Sequence, residues 1–312
     1  MADITLKTMI ATQGATRDLK AGALTPAGYS FEFAEMPILQ GFRRMVRGLE
    51  FDVCEMAFTT YLCAKACGKP FTALPVFLVR AFHHGAIVRS ASASAAAREP
   101  KDLEGKRVGI SRGYTVTTGV WARGILQDEY GVDPRRVTWV RSGDEHVAEY
   151  RPPANVRPLE PGQDLADLVA TGELAAGIGL AGPGLVPLIP DPEQAGFDAL
   201  RRRGLYPINH LLVVRDRLLA DHPNLAAGLF EVFAEAKNRH VARLRRGEVQ
   251  DPADRVYQRV MAITGGDPLP YGIAPNRAMI EQLVRYAVSQ RILDRPSPPE
   301  ALFAGSTHGL TA

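Results

Sequence analysis

Two apolar runs near the end of the first quarter of the chain dominate its hydrophobic pattern. Residues 51–58 and 71–79 are rich in β-branched and aromatic side chains and are flanked by Gly and Pro, which predicts two buried strands. Residues 59–67, between them, are predicted to form a short helix. An alternation of strand, helix and strand indicates an α/β fold.

The same patterns predict elements along the rest of the chain. Residues 38–49 carry apolar side chains at helical spacing opposite Arg43, Arg44 and Arg47, which predicts an amphipathic helix. Further strands are predicted at 4–10, 29–36, 84–92, 107–111, 137–140, 185–189 and 205–214. Further helices are predicted at 120–130, 164–171, 222–246, 253–264 and 276–290. The Pro-rich tail, RPSPPEALFAGSTHGLTA, is predicted to be an extended arm that could serve a homo-oligomer by exchange.

Changes in composition divide the chain into two lobes. Residues 90–101, SASASAAAREPK, are small and polar and end in Pro, which indicates a crossing between lobes. Residues 191–204 are polar and basic and precede a new apolar run, which indicates a second crossing. We expect lobe 1 at 1–91, an inserted lobe 2 at 92–203, and a return to lobe 1 with C-terminal helices at 204–312. Two lobes joined by two crossings would form a hinge and a cleft.

Composition and charge narrow the class of partner. The chain has 46% hydrophobic and 23% charged residues over 312 positions, which is typical of a folded globular protein rather than a disordered one. Its 37 basic and 34 acidic residues give a net charge of +3, too balanced for a nucleic-acid surface. The expected partner is a small molecule, with no nucleic acid and no membrane.

The N-terminus and the cysteines indicate a reducing compartment. The start, MADITLKTMI, lacks the charged and apolar regions of a secretory signal, so we expect a cytoplasmic protein. Cys63 and Cys67 are four residues apart, and two thiolates are too few for a zinc site. Together with Cys54, they are expected to pack as small apolar side chains.

Polar residues follow both strands of the central region. Glu55 lies at the end of the first run, and Arg80, His83 and His84 follow the second. In open α/β sheets, ligands bind outside the carboxyl ends of the strands. A cation, two imidazoles and a carboxylate at one sheet edge predict a site for a small anion.

Other candidate residues lie in loops farther along. Arg112, Thr115, Thr117 and Thr118 form a turn between a predicted strand and helix, where free backbone N–H groups can hold an anion; the threonines could instead only cap the helix. His146 also follows a strand and could bind a ligand, or form a surface pair with Glu149.

Arg17 and His210 complete the candidate set. Arg17 follows the first strand and could reach a ligand or remain a solvated loop residue. His210 stands in an apolar run. It could be a hydrogen-bonded histidine of the core or a catalytic residue that lines the cleft.

The sequence gives no sign of an organic cofactor. Residues 177–182, GIGLAG, match a dinucleotide-binding pattern by letter, but Pro183 and an extended run follow where a helix would have to begin. Glu55 and the histidines include enough ligands for a divalent metal, although no compact metal-binding spacing is present. No organic cofactor is expected, and a divalent metal is left open.

Several segments resemble one enzyme family. They are FDVCEMAFTTYL, ALPVFLVRAFHHGAIV, DLEGKRVGI, VWARGILQDEYGVDP and WVRSGDEHVAEYRPPANV, and they resemble the 4,5-dihydroxyphthalate decarboxylases. The likeness is strongest over residues 40–160. It departs from the expected pattern Arg-x-Phe-Arg-His at one position, because this chain has an imidazole at His83 where a guanidinium is expected.

The resemblance implies both an architecture and a reaction. The fold would be α/β, a two-lobed type 2 periplasmic-binding-protein (Venus-flytrap) architecture with a helical C-terminal extension. The reaction would convert 4,5-dihydroxyphthalate to 3,4-dihydroxybenzoate and carbon dioxide, as in phthalate breakdown. Because relatives with this fold include proteins that only bind solutes, the fold alone does not establish catalysis.

The chemistry of this reaction suggests roles for the candidate residues. Arg80, with Arg112 and the threonine turn, is expected to bind the carboxylates. His84 or His210 is expected to donate the proton to the ring, since histidine is the commonest general acid. Glu55 is expected to orient a histidine or to take a hydroxyl proton. Competing interpretations are a solute-binding protein for an aromatic acid and a decarboxylase of a related acid.

Overall fold

The computed structural model describes residues 4–94 and 96–312. The strands are β1 (Ile4–Met9), β2 (Tyr29–Phe33), β3 (Val53–Ala57), β4 (Phe71–Arg80), β5 (Ile87–Ser90), β6 (Arg107–Ile110), β7 (Thr138–Arg141), β8 (Val156–Pro158), β9 (Ala176–Ile178), β10 (Leu185–Pro187) and β11 (Ile208–Arg215). The α-helices are α1 (Arg17–Lys20), α2 (Ile38–Gly48), α3 (Phe58–Ala66), α4 (Thr117–Tyr130), α5 (Leu165–Thr171), α6 (Pro192–Arg203), α7 (Asp216–Asp221), α8 (Leu225–Arg245), α9 (Pro252–Thr264) and α10 (Arg277–Ser289). Short 3₁₀ helices lie at His84–Ala86, Pro100–Leu103, Pro134–Arg136, Ala274–Asn276, Pro299–Leu302 and Gly305–Thr307.

The described chain divides into two compact units. The first unit runs to Arg80 and includes Ile208–Glu281 and Ser297–Ala312, and the second comprises Ala81–Pro207 and Gln282–Pro296. The crossings therefore fall at Arg80 and Pro207, whereas the composition predicted them near residues 91 and 203. The short C-terminal segment Gln282–Pro296 groups with the second unit, although the sequence analysis assigned it to the first lobe.

The sheet of the first unit contains both parallel and antiparallel strand pairs. Within the described residues its strand order is β2-β1-β3-β11-β4. β1 is parallel to β2 and β3, whereas β11 is antiparallel to both β3 and β4. The return strand β11 is thus inserted between the two central strands. Four consecutive residues of β11 are fully buried, namely Leu211, Leu212, Val213 and Val214. Burying an aliphatic side chain of this size stabilises the fold by about 1.5–3 kcal/mol, which anchors β11 firmly.

The second unit is built on a sheet of its own. The strand order is β10-β5-β9-β6-β7-β8 in the described chain, with β9, β6, β7 and β8 parallel and β5 antiparallel to β9 and β10. Part of its core lies where α5 packs on the sheet, in a cluster of Val140, Leu165, Leu168, Val169 and Leu174. Buried parallel strands next to a helix are typical of α/β units.

Helix α6 and strand β8 of the second unit were missed from the sequence, as were the short helices α1 and α7 of the first. Residues 192–203 form helix α6, although their polar and basic composition predicted a crossing segment. Asp191 caps α6 by accepting a hydrogen bond from the Gln194 backbone N–H, and Phe197 is buried on the inner face. The second missed element is strand β8, which lies in a Pro-rich stretch at the edge of the sheet, where Pro is tolerated.

The prediction of an extended C-terminal arm is wrong. Leu302 and Phe303 are buried, and the Tyr61 hydroxyl donates to the Leu302 carbonyl. The Ala304 N–H donates to the Ala73 carbonyl at 2.9 Å. All of these residues belong to the first unit, so the tail packs on its own unit because its apolar residues find a surface there.

The close approach of α4 to Tyr286 gives a test of packing in the second unit. A Cβ atom added at Gly124 would lie 2.2 Å from the Tyr286 ring, whereas one added at Gly228 of α8 would meet no described atom within 4 Å. We expect Gly124→Ala to destabilise the protein by about 1–3 kcal/mol through overpacking. Gly228→Ala should stabilise it by up to about 1 kcal/mol through helix propensity. Thermal unfolding of both variants checks this, and equal melting temperatures would contradict the packing described.

Candidate active site

Glu55 is a buried carboxylate at the centre of the first unit. It lies on β3 and is 1% exposed. Its Oε2 accepts the Ala11 backbone N–H at 2.9 Å, and its Oε1 is 2.6 Å from His210 Nδ1. The Gln13 side-chain amide approaches both oxygens at 3.4 Å. A buried carboxylate is costly unless it is hydrogen-bonded, and these donors supply that compensation.

His210 is held by the sheet register. β11 pairs with β3 so that Leu212 lies opposite Glu55 and His210 opposite Ala57. Glu55 and His210 are therefore diagonal neighbours on one face of the sheet. The imidazole also packs edge-on against the Phe42 ring at 5.1 Å between centroids, and its side chain is 20% exposed. With Nδ1 directed at Glu55, Nε2 is the nitrogen available to a ligand.

Arg80 ends β4 in the same unit, and its guanidinium is buried. Its Nη2 donates to the Asn276 side-chain oxygen. The Asn276 amide nitrogen donates to the carbonyls of Pro270 and Gly272 at 2.9 and 2.8 Å, so the acceptor for Arg80 is itself fixed.

Two buried phenols lie near these charged groups. Burial raises the pKa of Tyr257 and of Tyr271 far above the ordinary value for tyrosine. The Glu55 carboxylate raises both pKa values further, and the Arg80 guanidinium lowers both. Both phenols therefore lie within electrostatic range of Glu55 and Arg80, and both remain protonated at neutral pH.

The threonine turn of the second unit holds a carboxylate of the protein itself. Glu145 accepts the Tyr114 N–H at 2.6 Å, the Thr115 N–H at 3.0 Å and the Thr115 hydroxyl at 2.7 Å. The sequence predicted a turn that could hold an anion, but it did not indicate that Glu145 would occupy it. Thr117 is buried at the start of α4, and Thr118 beside it is half-buried.

The second unit holds the other predicted histidines and Arg112. His84 is fully buried, with its Nε2 3.0 Å from Glu129 and no hydrogen-bond partner for its Nδ1 in the described chain. His83 and His146 are buried in the same unit. Arg112 is half-buried with a φ of 70°, and burial lowers its pKa.

The remaining candidate belongs to the first unit. Arg17 begins α1 and is half-buried. The structure thus brings Glu55 and His210 together, and it places Arg80 near the same buried phenols. Sequence reasoning missed Gln13, Asn276 and Tyr257. Gln13 stands in a loop after a predicted strand, Asn276 at the first position of a predicted helix, and Tyr257 on the apolar face of another, so no pattern separated them from ordinary residues.

The described chain gives no direct sign of a metal site or a membrane span. No group of three or more His, Cys, Asp or Glu side chains within residues 4–94 and 96–312 is placed to hold a metal ion. No helix in the same residues is both long enough and apolar enough to cross a membrane.

Solved structures share the fold. The periplasmic aliphatic sulphonate-binding protein SsuA of Escherichia coli matches 97% of this chain and 92% of its own with a TM-score of 0.54 at 12% identity. The desulfurization enzyme DSZB matches 97% of this chain and 96% of its own with a TM-score of 0.54 at 13% identity. The expected class, a periplasmic-binding-protein-like α/β fold, is confirmed.

Sequence comparison finds two relatives of the same kind, both of them decarboxylases. A 4,5-dihydroxyphthalate decarboxylase of Comamonas testosteroni is 29% identical over 282 residues, which cover 84% of each chain. A 4,5-dihydroxyphthalate decarboxylase of Pseudomonas putida is 35% identical over 151 residues, or 46% of this chain and 57% of the relative. No protein-family model matches. The resemblance to the 4,5-dihydroxyphthalate decarboxylases is therefore confirmed.

The Glu55–His210 contact predicts one tautomer of the neutral imidazole. We expect His210 to carry its proton on Nδ1, because Glu55 can only accept there. Long-range ¹⁵N–¹H correlation spectra report which nitrogen is protonated. Glu55→Gln should weaken the preference for this tautomer, while the signals of His222, whose ring packs on Tyr29, should not change. A neutral wild-type His210 protonated on Nε2 would contradict the hydrogen bond.

Proposed function

We propose that this protein is a carboxy-lyase that converts 4,5-dihydroxyphthalate to 3,4-dihydroxybenzoate and carbon dioxide. The observation that carries the proposal is the 29% identity to a decarboxylase of this substrate over 84% of both chains. The expected ligand is thus a small aromatic dicarboxylate. The pairing of His210 with the buried Glu55 carboxylate supports the proposal because the reaction needs a proton donor.

The reaction requires one net proton and the loss of one carbon–carbon bond. A proton is added to the ring carbon that bears the departing carboxylate, while the hydroxyl para to that carbon releases its proton and donates electron density. The bond to the carboxyl carbon then breaks, carbon dioxide leaves, the ring regains aromaticity, and the ring oxygen takes a proton back. The net change is the replacement of a carboxylate by hydrogen.

In this proposal His210 donates the proton. Glu55 holds Nδ1 and so directs Nε2 toward the substrate, and its negative charge stabilises the imidazolium before the transfer. General acid catalysis of this kind contributes on the order of 10²–10⁴-fold to the rate. His210 is preferred to His84 because it is partly exposed, whereas His84 is fully buried against Glu129.

Arg80 is proposed to bind the carboxylate that stays on the ring. A guanidinium can hold a carboxylate through two parallel hydrogen bonds. Asn276 orients the Arg80 side chain and carries no charge that would compete with an anionic ligand. Roles for Arg17, His83, Arg112, Thr115, Thr117, Thr118 and His146 in substrate binding stay predictions.

The proposed activity predicts a defined product with a defined label. Purified protein incubated with 4,5-dihydroxyphthalate in D₂O should release carbon dioxide and form 3,4-dihydroxybenzoate with one deuterium at the carbon that lost the carboxylate. Unhydroxylated phthalate should not react, because it lacks the electron-donating hydroxyl. Chromatography with mass detection checks both. Binding of the dihydroxyphthalate without any turnover would contradict the proposal and favour a solute-binding protein.

The proton-donor assignment predicts a graded series of variants. His210→Gln should lower kcat on the order of 10²–10⁴-fold, with substrate affinity largely retained. Glu55→Gln should lower kcat less, because the histidine remains but loses its orienting charge. His222→Gln, in the same unit but packed on Tyr29, is the matched control and should keep wild-type kcat. Wild-type turnover by a folded His210→Gln protein would refute the assignment.

A further inference from the structure

A cavity in the first unit adjoins the loop that contacts Glu55. Its volume is about 220 Å³. The lining residues are Thr12, Gln13, Gly14, Ala15, Leu78, Asp251, Pro252, Ala253, Tyr257 and Leu269. A cavity of about 150 Å³ is large enough to hold a benzene ring, so this one can take a substituted ring edge. The amide of Gln13 reaches the Glu55 carboxylate at 3.4 Å, which connects the cavity to the proposed catalytic pair.

Tyr257 presents an unused hydroxyl to this cavity. The residue is 6% exposed, and no described group forms a hydrogen bond with its hydroxyl. A hydroxyl that lines a cavity and has no partner in the described chain can form one hydrogen bond with a ligand, which favours a ligand that supplies the partner. Because burial keeps the pKa of Tyr257 high, the phenol remains a neutral donor.

The helix that carries Tyr257 is fixed at its start. Asp251 caps α9 by accepting the Asp254 N–H at 3.0 Å, and Asp254 in turn accepts the N–H groups of Gln250 and Asp251. Pro252 occupies the first helical position, where its missing N–H is no loss. The Tyr257 ring also packs edge-on against His240. The hydroxyl is therefore held in place before a ligand arrives.

The charge of the lining decides which part of a ligand fits. Asp251 carries a negative charge, and no Lys, Arg or His side chain appears among the lining residues. A carboxylate in the cavity would meet a like charge, whereas a ring hydroxyl can donate to Asp251 and accept from Tyr257. In 4,5-dihydroxyphthalate the two hydroxyls lie at the edge of the ring opposite the two carboxylates. Only one orientation of the ring then satisfies the cavity.

We propose that this cavity binds the hydroxylated edge of the aromatic acid, with the Tyr257 hydroxyl donating to a ring oxygen and thereby selecting hydroxylated rings. The identity of the acid rests on the proposed function, but the preference for hydroxyls does not. In the proposed orientation the carboxylates remain outside the cavity. When the ring hydroxyl loses its proton, the Tyr257 hydroxyl also stabilises the negative charge on the ring oxygen. Tyr257 is then a specificity-determining residue.

The test compares two monocarboxylates that differ only in their hydroxyls. Titration calorimetry with 3,4-dihydroxybenzoate and with benzoate should show tighter binding of the dihydroxy acid by the wild type. Tyr257→Phe should weaken binding of 3,4-dihydroxybenzoate about 2- to 10-fold and leave benzoate within twofold, since one hydrogen bond is lost. Tyr29→Phe, whose ring packs on His222 in the same unit, is the matched control and should change neither affinity.

A second variant tests the cavity without touching the phenol. Ala253→Leu places a larger side chain in the space for the ring and should weaken binding of both acids. The inference is overturned if the wild type binds the two acids equally, or if folded Tyr257→Phe retains the full preference. Loss of the preference in Tyr257→Phe together with no carbon dioxide from the wild type would support the cavity and refute the proposed function. If the wild type releases carbon dioxide but Tyr257→Phe keeps the full preference, the proposed function is supported and the role of the cavity is refuted.

Discussion

The hydrogen bond between Glu55 and His210 depends on one feature of the sheet, the insertion of β11 between β3 and β4. The two residues are 155 positions apart in the sequence, and they meet only because β11 runs antiparallel to β3 in this register. A slip of one residue would turn His210 to the opposite face. The fully buried apolar residues of β11 fix the register, because the same slip would move them out of their packing sites.

The first unit carries an unusual set of polar groups inside its core. Glu55 is joined there by Arg80 with Asn276 and by Lys237, which pairs with Asp267. Replacing such groups by well-packed apolar side chains is often neutral or stabilising, so stability alone gives little reason to keep them. The burial of many aliphatic and aromatic residues offsets their desolvation. A ligand site would account for such groups better than their contribution to stability does.

The sequence was most informative where a local hydrophobic pattern is enough to predict a single strand or helix. The runs that became β3, α3 and β4 are strongly apolar and sharply bounded, so their existence and order could be predicted. The alternation of composition along the chain also indicated a divided α/β architecture. Local patterns carry no information about which distant segment pairs with which, and for that reason the antiparallel return of β11 was not foreseen.

The same limit applies to the site. The types of residue at the strand ends indicated anion binding and proton transfer, and Glu55 and His210 were both named as candidates. Their mutual contact, the occupation of the threonine turn by Glu145, and the pairing of His84 with Glu129 all depend on side chains from separate segments. Tyr257 was not recognised as a candidate for a related reason. An aromatic residue on the apolar face of a helix looks the same from the sequence whether its hydroxyl is buried in a core or faces a cavity.

The fold is shared by a periplasmic aliphatic sulphonate-binding protein and by a desulfurization enzyme, so the fold cannot separate binding from catalysis. The charge at the site can. A protein that only binds an anion gains from cations and N–H donors, and a buried carboxylate next to the ligand lowers its affinity through like-charge repulsion. In the proposed site Glu55 would be such a carboxylate, and its 2.6 Å contact is with an imidazole, a group that can gain and lose a proton. Because the carboxylate orients the imidazole through Nδ1 and leaves Nε2 for a ligand, the pair suits proton delivery better than anion capture. For a purely binding protein the Glu55–His210 pair would be a disadvantage, whereas in the proposed acid catalyst it holds the proton donor in place.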